Sequence, residues 1–315
     1  MSVPRMYRRM SVEAYRSTRR SGGASPGDVS PKRTALRVGG GSLPLGFDSI
    51  TARVMQHPLV YFGGPRALLM ELADPLVAAG VADHSNFEDR PFARLARTMH
   101  MMDSIAFGSP GKSEAATRAF AFQHERITGT APDGRSYSGN DPELLLWVHA
   151  TLVDTVLAME KRYLGLLRDK EREDYYQESV LVALALGIPE KLVPADLGSF
   201  HDYVSKRVES LEVGEQARGM VRFILRPPVE KAVKPIAGLT SSGLGILLES
   251  VTAELLPLRL RREYGLDTVT LALTGAGLEV TSALTRTLAP RLPPVALSIL
   301  SRLAGDLVGL DRHIA

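Results

Sequence analysis

The sequence predicts an all-α protein, a large single-domain helical bundle. Three observations carry that prediction. From about residue 65 onward apolar residues recur at helical spacing almost without interruption. Helix-start signals punctuate the pattern, above all Asp141-Pro142-Glu143, with a capping aspartate and a proline in the first helical position. Convincing strands are scarce: the Thr268–Leu273 stretch is the single rival, and its pattern is too short to outweigh the rest. No internal repeat is present.

The elements follow in order. Residues 1–41, rich in Arg, Ser, Gly and Pro and closed by Gly39-Gly40-Gly41, read as a flexible basic arm, leaving 42–315 as the helical domain. Pro65 opens a helix with Leu68, Leu69 and Leu72 on one face, until Asp74-Pro75 interrupts it. One helix is predicted over about 90–106 and another over about 113–127, with Ser113 as its N-cap. The helix opened at Asp141 runs to about 168 and ends in basic residues. Arg172 to Leu186 is amphipathic and stops at Gly187-Ile-Pro189. Asp196 caps a further helix, Leu197 to Val213. Later helices are broken at Pro227-Pro228, Pro235, Pro257 and Pro293-Pro294.

Composition narrows the function. With 44% apolar and 23% charged residues the 315-residue chain is globular. The formal charge of +3 is unevenly placed. Residues 1–37 hold nine Arg/Lys against Glu13 and Asp28, a net of +7, so the remainder carries −4. A mildly acidic body with a basic tail is not the charged face of a nucleic-acid reader. The absence of cysteine excludes disulfides, thiolate zinc sites, iron–sulfur clusters and thiolate-ligated haem. Arg8-Arg9-Met10-Ser11-Val12 resembles the start of a twin-arginine signal, but Glu13, Arg16, Arg19 and Arg20 follow where an apolar segment is required. The expectation is a cytoplasmic protein, and with no run of eighteen apolar residues no transmembrane segment is expected.

Several motifs fail on their own terms. Gly111-Lys112-Ser113 lacks the glycine of a phosphate loop, since Ala106 stands in its place. Gly23-Ala24-Ser25-Pro26-Gly27 lies in the arm, without the strand and helix a nucleophile elbow needs. The residues three before the internal histidines are Val54, Val81, Arg97, Ala121, Leu146 and Gly198, so no Glu-x-x-His di-iron pattern exists. His124-Glu125 is followed by Thr128 where a zincin would have its second histidine.

One constellation survives. Arg94, Arg97 and Thr98, at i, i+3 and i+4, share a helix face continued by Met101, while His100 points elsewhere. Such a face suits haem propionates or the polarisation of bound oxygen; the plainer reading is a surface face paired to Glu88 or Asp89. His124 shares its face with Phe120, Ala121 and Ile127. An imidazole on a small apolar face suits a proximal haem ligand, provided an acceptor fixes its other nitrogen. His149, among Leu145, Leu146, Leu152 and Val153, fits the same description, with Trp147 for packing and Asp154 as a candidate partner. Spacing alone does not choose between the two histidines.

These segments resemble a known family. Arg66-Ala-Leu-Leu-Met-Glu71-Leu-Ala-Asp74-Pro75, Arg94-x-x-Arg97-Thr98, His124-x-x-Ile127-x-Gly129 and Asp141-Pro-Glu-Leu-Leu-Leu-Trp147-Val-His149-Ala150 are similar to the MpaB and latex-clearing-protein catalytic-domain family. Tyr175-Tyr176-Gln177-Glu178, Gly187-Ile-Pro189, Leu256-Pro257 and Tyr264-Gly265 continue the resemblance over roughly residues 60–300. It implies an all-helical fold with a globin-like core, b-type haem held by one histidine, dioxygen as co-substrate, and cleavage of isoprenoid double bonds to carbonyl products. By the same resemblance His124 is the iron ligand, Arg94 and Thr98 match an Arg-x-x-x-Thr motif, and Arg97 replaces a distal lysine. That exchange keeps the charge and changes its shape. The family pattern Gln-x-Ala-His-Pro is here Glu71-Leu-Ala-Asp74-Pro75, and Glu71 and Asp74 are the nearest candidates for an acidic base. The resulting expectation is a haem b-dependent oxygenase acting on a small apolar, unsaturated molecule. Its rivals are a non-catalytic haem- or lipid-binding helical protein and a helical scaffold without cofactor.

Overall fold

A computed structural model describes residues 45, 46, 48–85, 91–226 and 241–267. The basic arm, the 268–273 stretch and the prolines at 227, 228, 235, 293 and 294 lie outside them. Among the described residues the fold is all-α, interrupted only by one small two-stranded hairpin.

Two central helices set the core. Helix α1, Ile50–Met55, leads through a 3-10 helix, Pro58–Gly63, into α2, Gly64–Leu72. Seven of the nine residues of α2 are buried, Arg66 and Glu71 among them. It packs on α6, Pro142–Met159, whose mid-section is equally hidden. The indole of Trp147 donates to the Met70 carbonyl at 3.2 Å and joins the two. A side chain at Gly63 would strike Thr155 and Met159, so α2 begins in close contact with α6. Around this pair lie α3 (Pro75–His84), α7 (Asp169–Ala185), α8 (Leu197–Ser210), α9 (Glu215–Leu225), α10 (Ser241–Leu255) and α11 (Leu258–Glu263). One apolar cluster runs continuously from Val54 through Leu69, Trp147, Tyr176 and Phe200 to Leu260.

Local chemistry explains the helix starts. Asp74 caps α3, Asp141 caps α6 and Asp196 caps α8, each accepting from backbone N–H groups of the first turn. The start of α1 is capped twice: Ser49 Oγ accepts from Ala52 N at 3.1 Å, and Ile50 and Thr51 donate their amides to the Glu178 carboxylate of α7 at 3.1 and 2.7 Å. At the far end of α6 the chain widens into a π turn, Glu160–Leu164, and leaves it through Gly165 at φ 61°. The buried Glu160 carboxylate accepts from Leu167 N and Arg172 Nε, closing that turn.

Helices α4 (Pro91–Phe107) and α5 (Pro110–His124) form a helical hairpin laid against α7. The expected start of α5 at Ser113 is three residues late. Pro110 opens the helix, and Ser113 lies inside it, its hydroxyl donating to the Ile105 carbonyl of α4 at 2.6 Å. The expected end at 127 is also too late, because Ile127 leads into strand β1 (Thr128–Thr130), which pairs antiparallel with β2 (Ser136–Ser138). Gly134, at φ 85°, makes the turn. Tyr137 anchors the hairpin on α3 by donating to Asp83 at 2.5 Å. Helix α7 begins at Asp169, three residues before the expected Arg172, and α8 stops at Ser210.

Among the described residues one stretch, Pro142–Leu164, is long and apolar enough to cross a membrane, which counting uninterrupted apolar residues did not reveal. It is α6 with its π turn, and 61% of the apolar window is buried inside the protein.

Candidate functional site

The α4–α5 hairpin meets α6 and α7 over two small apolar clusters. Ala106 with Met102 and Phe107 of α4 packs on Val182, Ala185 and Leu186. Phe120 of α5 packs on Leu145, Leu146, Ala183 and Ile188. Helix α5 is otherwise thinly covered, for Ser113 is its one buried residue. A fifteen-residue helix with so little burial draws its place from its neighbours rather than from its own packing.

His124 is the last residue of α5. Its Nδ1 lies 2.9 Å from the Phe120 carbonyl one turn earlier, and its ring stacks on Phe120 at 3.9 Å between centroids. A carbonyl only accepts, so Nδ1 carries the proton and Nε2 presents its lone pair, with no hydrogen-bond partner among the described residues. Desolvation lowers the pKa of His124, against the opposing pull of the Phe120 carbonyl, which favours the neutral ring. The backbone under the histidine is held by the strap at Gly139 and Asn140. Gly139 N donates to the Ile127 carbonyl at 2.6 Å, and Asn140 Nδ2 to the Ala121 carbonyl at 3.4 Å. A Cβ at residue 139 would sit 2.8 Å from the His124 carbonyl oxygen, so the strap passes where only glycine fits.

His149 sits in mid-α6 and is 8% exposed. It lies against the Ser179 backbone of α7, and its Nδ1 is buried with no hydrogen-bond partner among the described residues. Burial pushes its pKa down to about 4, so the ring is neutral at physiological pH. Leu145 and Leu146 lie one turn before it and Ala183 one turn after Ser179, so both histidines border the Phe120–Leu145–Leu146–Ala183–Ile188 cluster.

The remaining sequence candidates separate. Thr98 is exposed on α4. Arg94 and Arg97 belong to the same helix, and their side chains lie outside the described residues. Asp154 is not a partner of His149: it pairs with Arg66 at 2.6 Å, within a buried clamp that also joins Arg66 to Thr155 and the Leu255 carbonyl. Asp74 has both oxygens committed, Oδ1 to the start of α3 and Oδ2 to Arg207 at 2.5 Å. Glu71 is buried on α2, with the Thr151 hydroxyl donating to it at 3.4 Å.

The sequence reading missed the Gly139 strap, which was signalled by Gly139-Asn140-Asp141 immediately before Pro142.

Residues 52–288 match the family described as ER-bound oxygenase mpaB/B'/Rubber oxygenase, catalytic domain. The chain belongs to this family. Its matched region thus corresponds to an oxygenase catalytic domain, with the all-α fold and His124-bearing helix placed inside the match. The uncharacterized proteins Rv2237 of Mycobacterium tuberculosis and Mb2261 of Mycobacterium bovis are each 27% identical over 161 residues, 50% of this chain. The match spans 63% of the length of each of these relatives. No solved structure matches the chain.

Proposed function

We propose that this MpaB/rubber-oxygenase family member is a haem b-dependent oxygenase for an apolar, unsaturated, isoprenoid-like substrate, with His124 as the axial iron ligand. The observation that carries the proposal is the state of His124. Its Nδ1–H is spent on the Phe120 carbonyl, and its Nε2 lone pair is unshared on a thinly covered helix. Among the described residues no three His, Asp or Glu side chains gather into a metal site. Haem asks for a single imidazole, because its porphyrin brings the other four nitrogens.

The donor set fits that group, and haem when bound would supply the binding and activation of dioxygen. The chain's own residues do the rest. The Gly139–Asn140 strap and the Phe120 carbonyl hold the imidazole in one tautomer and one orientation. Arg94 and Thr98 are assigned to binding and orienting the cofactor's polar edge. Arg97 is assigned to the negative charge that develops on the oxygen co-substrate, a preorganised electrostatic role. Phe120, Leu145, Leu146, Ala183 and Ile188 give an apolar wall that receives a hydrocarbon and excludes water. Both oxygen atoms would enter across one carbon–carbon double bond, giving two carbonyl groups.

The test is an absorption spectrum of the purified protein, oxidised and then dithionite-reduced, with a pyridine haemochrome assay. A Soret band at near-stoichiometric b-type haem, lost in His124→Ala, is the expected result. A colourless protein that also refuses added hemin overturns the proposal, and an unchanged axial-ligand spectrum in His124→Ala transfers the ligand role to His149. A second reading, a non-catalytic haem- or lipid-binding protein, draws on the structural commitment of Asp74, which leaves that carboxylate no freedom to act as a base. Oxygen-dependent product from a panel of isoprenoids would remove it.

A further inference from the structure

Helix α5 reaches the apolar interior through one side chain. Among the described residues Phe120 is its single member of a core cluster, set against Leu145, Leu146, Ala183 and Ile188. The same residue supplies both the hydrogen bond and the ring contact of the His124 side chain. Its carbonyl stands 2.9 Å from Nδ1, and its ring stacks on the imidazole at 3.9 Å between centroids and 29° between planes. The two contacts restrain different motions. A hydrogen bond from a ring N–H is directed along the ring plane, so it opposes the half-turn that would put a carbon in place of Nδ1. The stack acts on the face of the ring and opposes tilting out of that plane. His124 is half-buried, so water competes for the carbonyl, and one neutral hydrogen bond facing solvent holds a side chain weakly. The Phe120 ring covers one face of the imidazole and is itself fixed on α6 and α7.

We propose that the Phe120 side chain is the positioning residue of His124. Anchored on α6 and α7, it holds the imidazole plane so that the carbonyl one turn back keeps the Nδ1 proton and Nε2 is presented in one direction. In metal sites the partner of the second ring nitrogen fixes both the tautomer and the orientation of the ligand. Here one residue divides those tasks between its backbone and its side chain. The carbonyl selects the tautomer, and the ring keeps the imidazole where the carbonyl can act. The proposal rests on the reading of His124 as the axial ligand and deepens it, because the hydrogen bond alone does not hold the ring. Phe120 acts through His124, and its contribution is therefore read first on the histidine.

The test uses the full chain prepared without haem, its histidines isotopically labelled, and nitrogen–proton correlation spectra at neutral pH. The His124 signals are assigned by their loss in His124→Gln. In the wild type the Nδ1–H tautomer should dominate. Phe120→Leu keeps the carbonyl and an apolar anchor, and should shift the ratio toward Nε2–H by roughly threefold to tenfold, the weight of one aromatic pair. Phe120→Met, a more adaptable filler, gives the same reading if Phe120→Leu does not fold. Phe120→Tyr should restore the wild-type ratio. Val182→Ala, which loosens the separate contact between α4 and α7, should lower the urea midpoint and leave the ratio alone. Two comparable tautomers in the wild type, an unshifted ratio in Phe120→Leu, no restoration in Phe120→Tyr, or an equal shift in Val182→Ala each overturns the proposal. With haem added, the iron–histidine stretching band of the reduced protein should broaden in Phe120→Leu at equal haem content and stay single in Phe120→Tyr. An unbroadened band in Phe120→Leu removes the positioning role. Haem content also keeps the two proposals apart. A shifted tautomer ratio in a chain that takes up no haem removes only the oxygenase reading, and haem uptake with an unshifted ratio removes only this one.

Discussion

Replacing Asp74 separates a scaffold role from a chemical one at the position where the family resemblance places histidine. The Asp74 side chain is 5% exposed, and its two oxygens do different work. Oδ1 caps α3, accepting from Leu76 N at 2.8 Å and Val77 N at 3.3 Å. Such a cap contributes about 1 kcal/mol. Oδ2 meets Arg207 at 2.5 Å, and that guanidinium is 29% exposed and lies 5.9 Å from the Trp147 ring centre. An exposed pair contributes at most about 1 kcal/mol, and breaking a buried one costs about 3–5 kcal/mol. A half-screened partner puts this pair near 2 kcal/mol. Asp74→Ala should therefore cost about 3 kcal/mol. Asp74→Asn keeps the capping oxygen and should cost about 2 kcal/mol. Urea unfolding followed by far-UV circular dichroism reads both, as a lower midpoint at unchanged slope. Haem content per folded protein should be unaltered in each variant, and Arg207→Met placed on Asp74→Asn should return part of the loss. An Asp74→Asn protein as stable as the wild type but without turnover would refute the reasoning and make Asp74 a reacting group.

Two further expectations follow from buried polar groups. Arg66, 4% exposed, binds Asp154, Thr155 and the Leu255 carbonyl, so Arg66→Met should cost about 3–5 kcal/mol. Adding Asp154→Leu should recover much of that in a urea double-mutant cycle, and strictly additive losses would show that the pair is not coupled. His149 makes stability depend on pH, with a sign set by its lowered pKa. The unfolded chain takes the proton first, near the ordinary 6.5, and the folded chain only near 4. Its contribution is thus complete above pH 6.5, falls as the pH drops, and is exhausted by about pH 4, at about 3 kcal/mol in all. Urea midpoints from neutral pH down to 4 should decline less steeply in His149→Leu than in the wild type, and parallel declines would contradict the assignment.

The fold was legible wherever its cause is local. Asp74, Asp141 and Asp196 could be read as caps because the amides they satisfy lie two and three residues away. Ser113 has the same local signature, yet its hydroxyl goes to Ile105 on the neighbouring helix, so the same chemistry pointed to the wrong start for α5. The start of α1 is only partly local: Ser49 serves Ala52 N three residues away, while the Ile50 and Thr51 amides are satisfied by Glu178, more than a hundred residues along the chain. The hairpin was missed because three-residue strands have no period to detect, although Pro132-Asp133-Gly134 carries the residues of its turn.

The same distinction explains why spacing left His124 and His149 equivalent. Both stand on apolar helical faces, and what divides them is burial and the carbonyl that meets one of them. For His124 that partner is the Phe120 carbonyl of its own helix, a turn away, which leaves Nε2 unshared at a helix end with little cover. His149 is buried in mid-α6, its ring kept neutral by desolvation and its Nδ1 enclosed without a hydrogen-bond partner among the described residues. A ring at an under-covered helix end can receive a large planar group without parting α6 from α7. Residue type and period establish that both imidazoles are candidates. The difference between their settings comes from packing and from one carbonyl group at the end of α5, quantities that no residue identity encodes.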